Sequence, residues 1–215
     1  AMIENGAEIS RAEESLRRML SSSGIKGNAF CLNSIVVLIC SDDVLVRRIN
    51  KNDLNLAEID RLNAVCRDIC KEQSCHLSEN NYSGFFKIMS VFLATGAFCI
   101  YFGGGIVDAI VSGIIGLIIL KIPKSGVGIF AYALLQSTVA GILSYIPLFF
   151  NLAVSPDKIM IGTVMLLIPG ITMGNAVRDV MYCDTLSGVI EFTESVFTAL
   201  AIAFGFSLAV IFLGG

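Results

Sequence analysis

The sequence predicts an α-helical membrane protein: five transmembrane helices preceded by a small cytosolic α+β domain in the order α-β-β-α. Three observations carry this. Of 215 residues, 55% are hydrophobic and 15% charged, and the mean hydropathy is +0.78, a balance foreign to soluble domains. The charges are concentrated at one end: 1–84 holds 10 Lys/Arg and 12 Asp/Glu, whereas 85–215 holds 5 and 6. The apolar stretches of the second part are long enough to cross a hydrocarbon core of about 30 Å. Two domains follow, a cytosolic one at 1–84 and a transmembrane one at 85–215.

Within 1–84, Ile9, Ala12, Leu16, Met19 and Leu20 recur at spacings of three and four, the period of an amphipathic helix. Ser21-Ser22-Ser23-Gly24 stops it. The run 30–40 is rich in Val and Ile, and Ser41-Asp42-Asp43 turns it into 44–49, which reads as a strand pair. Leu56, Ile59, Leu62, Cys66, Ile69 and Cys70 mark a second helix. About 75 ordered residues is near the lower limit for a self-sufficient core, so this domain is expected to pack on a partner copy or on the membrane domain. No internal repeat is found.

In 88–120 the only charge is Asp108. A single helix through that stretch would be roughly 50 Å long, too long for one crossing. Gly103-Gly104-Gly105 supplies the break, giving helices near 86–103 and 105–122. The charge-free stretch 125–156 gives a third at 127–149. A fourth, 159–177, is interrupted by Pro169-Gly170, and a fifth occupies 195–213. Five spans place the termini on opposite sides. With the N-terminal domain inside, Lys87, Lys121, Lys124 and Arg178 fall on the cytosolic side and only Lys158 outside, so the positive-inside rule puts the C-terminus outside.

Composition also excludes classes. A net charge of −3, with no dense basic stretch, argues against a nucleic-acid partner. Seven cysteines without a tight spacing pattern point to reduced thiols and a cytosolic polar part. The chain opens on a polar helical pattern without the basic n-region and short apolar core of a secretory leader, so none is expected. Cys66, Cys70, Cys75 and His76 cluster, but their spacing is no zinc motif, and Cys66 and Cys70 lie on the apolar stripe. There is no nucleophile paired with a base and no phosphate loop. Neither an enzyme, a cofactor nor a metal is expected.

Several polar residues in the apolar half invite function. Asp108 is either a proton or substrate-amine site or an acid in the first turn of its helix, welcomed by free N–H groups. Pro169 removes a backbone hydrogen bond at membrane depth. With Gly170 it marks either a packing kink or the broken helix by which transporters hold polar substrates. Asn175 and Asp179 follow as i, i+4 neighbours, and Arg178-Asp179 also fits an interfacial anchor. Gln136, with Ser137 and Thr138, either lines a path or hydrogen-bonds a neighbouring helix. Glu191 fits interfacial solvation, and Glu194, at the start of the last span, reaches towards a cavity.

The order Asn5-Gly6-Ala7-Glu8, Glu13, the 48–53 stretch, Gly103-Gly104 with Asp108, and Leu167-Ile168-Pro169-Gly170 followed by Asn175 and Asp179 resembles the threonine/serine exporter family. The likeness is to the half that carries a cytosolic N-terminal domain and five membrane helices. The resemblance implies a subunit of a proton-coupled secondary exporter in the plasma (bacterial inner) membrane. Its substrates would be small and hydrophilic: threonine and serine or, in split two-component relatives, a dicarboxylate such as succinate. It also implies a second, smaller five-helix membrane subunit, in place of which a homo-oligomer is the competing arrangement. Asp108, Pro169, Gly170, Asn175, Asp179, Glu194 and Gln136 are then the candidates for the substrate and proton pathway. The alternative is a non-transporting membrane sensor or scaffold whose cytosolic domain binds a ligand or partner. An anchor of that kind needs neither an intramembrane acid nor a Pro-Gly break.

Overall fold

In a computed structural model of the chain, the described residues are 1–32, 34–40, 43–49, 55–71, 84–123, 128–182 and 184–214. Cys75, His76, Lys124 and most of the 48–53 stretch therefore lie outside the described residues. Contacts divide the chain into two compact units, Ala1–Asn81 with Ile171–Phe192 and Tyr82–Gly170 with Thr193–Gly215.

The polar unit opens with a single 3-10 turn, Ile3–Asn5, and helix α1, Ile9–Ser22. Arg17 pairs with Glu13 at 2.6 Å one turn away, on the solvent side. Gly24 ends α1 because it adopts φ +68°, the left-handed conformation that costs glycine least. The Ile25 N–H then donates to Leu20 O at 3.0 Å and the Gly24 N–H to Ser21 O at 3.2 Å, the Schellman pattern that satisfies the last carbonyls.

A three-stranded antiparallel sheet follows, β1 Gly27–Cys31, β2 Ile35–Cys40 and β3 Asp43–Arg48, in the order β1-β2-β3. This corrects the expected strand pair. The run 30–40 is not one strand: the Leu32 N–H donates to Ile35 O at 2.8 Å and reverses the chain. Cys40 thereby pairs with Gly27 and Cys31 with Val36. Gly27 lets the strands approach, since a Cβ there would stand 2.6 Å from Ile39 O. The physical reason is that an isolated hairpin is marginal in water, whereas a third strand satisfies the free edge of β2. Helix α2, Leu56–Cys70, starts where the Asn55 side chain accepts the Glu58 N–H at 3.1 Å. The core is Ile3, Ile9, Ala12, Cys31 and Ile49, with Leu16 and Val36 packed against it.

The apolar unit contains α3 Gly84–Tyr101, α4 Ile106–Leu120, α5 Ile129–Phe149 and α6 Pro156–Leu167. Beyond them lie α7 Gly170–Met181 and α8 Thr185–Leu213. Among the described residues, α3, α5 and α8 are each long and apolar enough to cross a membrane, and α6 with α7 adds a fourth span only if the broken pair is counted as one. The membrane class holds; three to four helices among the described residues meet the length and composition of a span, and the expected count of five is not confirmed.

The shortfall is α4, whose 15 residues rise only about 22 Å. Asp108, Ala109, Ser112, Gly113, Ile115, Gly116 and Ile119 are all buried on one face, whereas Ile106, Val107, Ile110, Ile114 and Ile118 are exposed on the other. Small residues let its neighbours close in: a Cβ on Gly162 of α6 would lie 2.6 Å from Ser112 Oγ and 2.8 Å from Thr95 O. Ile115, Ile119, Ala140 and Ile159 form the core, with Leu143 and Phe206 packed against them.

Helix α8 begins ten residues before the expected 195 and runs for 29, about 44 Å. Asp184 precedes it and accepts the Ser187 N–H at 3.4 Å. Gly188 brings α8 against α7 backbone to backbone, since a Cβ there would sit 2.7 Å from Ala176 O and 2.9 Å from Val180 N.

Candidate functional site

In the apolar unit Asp108 is 5% exposed and both carboxylate oxygens are engaged. Oδ2 accepts the Gly105 N–H at 2.8 Å and Oδ1 accepts the Ser155 N–H at 3.0 Å. Gly105 precedes α4 and Ser155 precedes α6, so one carboxylate joins the starts of two helices. The helix-cap reading accounts for every contact it makes. Gln136 donates from Nε2 to Ile119 O at 3.4 Å, which links α5 to the far end of α4. Asp108 and that contact are separated by about 16 Å along α4 and form no common site. Ser137 and Thr138 return their hydroxyls to Leu134 O in their own helix. Glu194 is exposed. Pro169 stands where the pair α6 and α7 breaks, with the Gly170 N–H donating to Ile168 O at 2.8 Å.

In the polar unit the remaining candidates converge. Asn175 donates from Nδ2 to Gly6 O at 3.3 Å, and Arg178 Nη1 reaches Glu8 Oε2 at 3.1 Å. Glu8 accepts also from Ser10 Oγ–H at 2.7 Å. Between them Asp179 is 0% exposed, and neither of its oxygens has a hydrogen-bond partner. The Ser10 N–H acts on it favourably but from outside hydrogen-bond geometry. The carboxylates acting on it, Glu191, Glu8 and Asp184, share its sign. Ser187 Oγ is a second buried oxygen without a partner. Glu191, expected at a solvated interface, is 7% exposed.

An open cavity of about 1060 Å³ adjoins this cluster. Glu8, Glu13, Glu14 and Asp184 give it four carboxylates, and Arg11, Arg17 and Arg178 three guanidinium groups. Such walls suit a ligand with charges of both signs, and guanidinium forks hold carboxylates well. At the base of α1, Glu13 Oε2 accepts the Cys31 N–H at 3.3 Å. Burial, reinforced by Glu13, pushes the Cys31 thiol up to about 11.

Sequence reading missed Arg11, Arg17, Tyr182, Asp184 and Ser187. A signal for two of them existed: Asp184 before Thr185-Leu186-Ser187 is an N-cap pattern, but starting the last helix at a charge-free residue hid it. Among the described residues no three His, Cys, Asp or Glu side chains are placed to hold a metal ion.

Long apolar helices, one helix pair broken at a proline and polar groups buried among them define a multi-span membrane protein with a polar unit attached. The family model described as "Putative threonine/serine exporter" (ThrE) matches residues 1–213. The chain belongs to that family, and with it to a class of membrane exporters. Comparison with curated proteins and with solved structures finds no match.

Proposed function

We propose that this chain is a subunit of a proton-coupled secondary exporter, not an enzyme, that moves small hydrophilic solutes outward across the plasma membrane. Amino acids of the threonine and serine type are the first candidates and a small dicarboxylate such as succinate the second. The observation that carries the reading is the family match over 1–213. The cavity agrees with it, because arginines beside carboxylates can receive the carboxylate and the ammonium of one amino acid. The N-terminal polar unit faces the cytosol in this reading, where such a cavity collects solute.

A second membrane subunit or another copy of the chain completes the transporter. Two features support this: the small number of candidate spans, and an apolar edge strand, in which Val44, Leu45 and Val46 are all exposed. The test is reconstitution in liposomes with an imposed pH gradient and labelled L-serine, L-threonine or succinate. Gradient-driven accumulation of one of them is expected, from the chain alone or with a co-purified subunit. Binding of a probe in the cavity with no transport in either preparation would favour a sensor instead.

A further inference from the structure

We infer that Asp179 is a reversible proton-binding site, reached from the open cavity of the polar unit by way of Glu8 and Asp184. A buried carboxylate is strongly disfavoured as an ion unless something compensates it, and here the compensation is slight, an N–H of Ser10 outside hydrogen-bond geometry and a guanidinium turned elsewhere. No hydrogen bond reaches either oxygen. Arg178, its neighbour in sequence, has a side chain 58% exposed and turned to Glu8, and consecutive helix residues do not face each other. A divalent metal is not the missing group, because no three potential ligands converge among the described residues. What remains is neutralisation by a proton.

The surroundings agree from every side. The start of α1 brings Glu8 and the Ser10 N–H, α7 itself carries Arg178 and Tyr182, the turn before α8 brings Asp184, and α8 brings Glu191. The single guanidinium among these is bonded to Glu8. Proton uptake also changes what the group can do, since a protonated carboxyl becomes a donor as well as an acceptor. The other buried oxygen without a partner, Ser187 Oγ, lies on α8 beside Gly188, where α8 touches α7. Access is built in, because Glu8 and Asp184 both line the cavity and both act on Asp179. Asp108 is the contrast: its oxygens already hold two backbone N–H groups.

The inference rests on the exporter reading only for its consequence, that this proton is the one coupled to export. The full chain in lipid nanodiscs is titrated and followed by infrared difference spectroscopy in the carboxylic C=O region. One protonated-carboxyl band is expected to titrate in the wild type and in the exposed-surface control Asp60→Asn, and to vanish in Asp179→Asn. A band unchanged in Asp179→Asn overturns the site, as does a band abolished by Na⁺ at constant pH. Should Asp179→Asn not fold, Asp179→Glu serves instead: a moved titration midpoint supports the site and an unmoved one overturns it. In liposomes, Asp179→Asn should lose at least tenfold of pH-gradient-driven L-serine, L-threonine or succinate accumulation while keeping exchange at equal pH. Retained gradient-driven accumulation overturns the coupling. Wild-type protein that moves none of the three probes defeats the exporter reading, and the infrared band still decides the site.

Discussion

Asp108 and Asp179 are both buried acids on helices rich in apolar residues, yet their surroundings assign them opposite tasks. Asp108 holds the N–H groups of Gly105 and Ser155, and removing the acceptor strands two buried donors. Asp108→Ala should therefore destabilise the purified protein by about 2–4 kcal/mol, read from denaturant or thermal unfolding in detergent. Asp179→Asn removes no hydrogen bond and should leave stability unchanged or raised. Cys31 gives a third residue-scale test. Its thiol is 1% exposed and burial, with Glu13 adding, raises it to about 11. At pH 8 only about 0.1% is thiolate, the reactive form. Iodoacetamide at pH 8 should label the half-buried Cys40 well before Cys31, as mass spectrometry of the intact fold would show. Sequence made both acids visible as rare charges in apolar stretches. It could not rank them, because one of the two backbone donors that engage Asp108 comes from 47 residues away.

At the scale of elements, periodicity located α1 and α2, and charge-free length located most of α3 and α5. Strand β1 escaped because Gly27, Asn28 and Ala29 are not strand formers by composition, and pairing with β2 overrides that weak preference. The start of α8 escaped because absence of charge marks lipid rather than helix, and this helix carries Glu191 and Glu194. Helix α4 was legible as apolar, but not which of its faces packs on other helices. Its packing yields the next prediction. A Cβ on Gly162 would press on Thr95 O, Cys99 and Ser112 within 2.6–2.8 Å, and a carbonyl in a helix cannot retreat as a side chain tip can. Gly162→Ala should cost about 1–3 kcal/mol, visible as a lowered melting temperature. Gly174→Ala, where nothing lies within 4 Å, should be neutral or slightly stabilising because alanine favours helix.

For the whole molecule, the sidedness of the termini is a prediction made by the Lys/Arg distribution. Residues Ile171–Phe192 belong to the same compact unit as the N-terminal polar residues. Helix α8 is continuous for 29 residues, about 14 Å longer than the roughly 30 Å of a hydrocarbon core. A single crossing by α8 after a cytosolic polar unit would put the two ends of the chain on opposite sides. The Asp108 clasp adds an independent constraint, since Gly105 and Ser155 must share one face for a single carboxylate to reach both. The positive-inside rule predicts Lys87, Lys121 and Arg178 inside and Lys158 outside, an arrangement that requires α4 to cross. A reporter fused after Gly215 should be active outside the cytosol and one fused before Ala1 inside it. A cysteine placed at Ser155 should label from the outer face only. A C-terminal reporter active in the cytosol would mean that α8 does not cross, and labelling of position 155 from the inside would reverse the orientation assigned to α4 and α6.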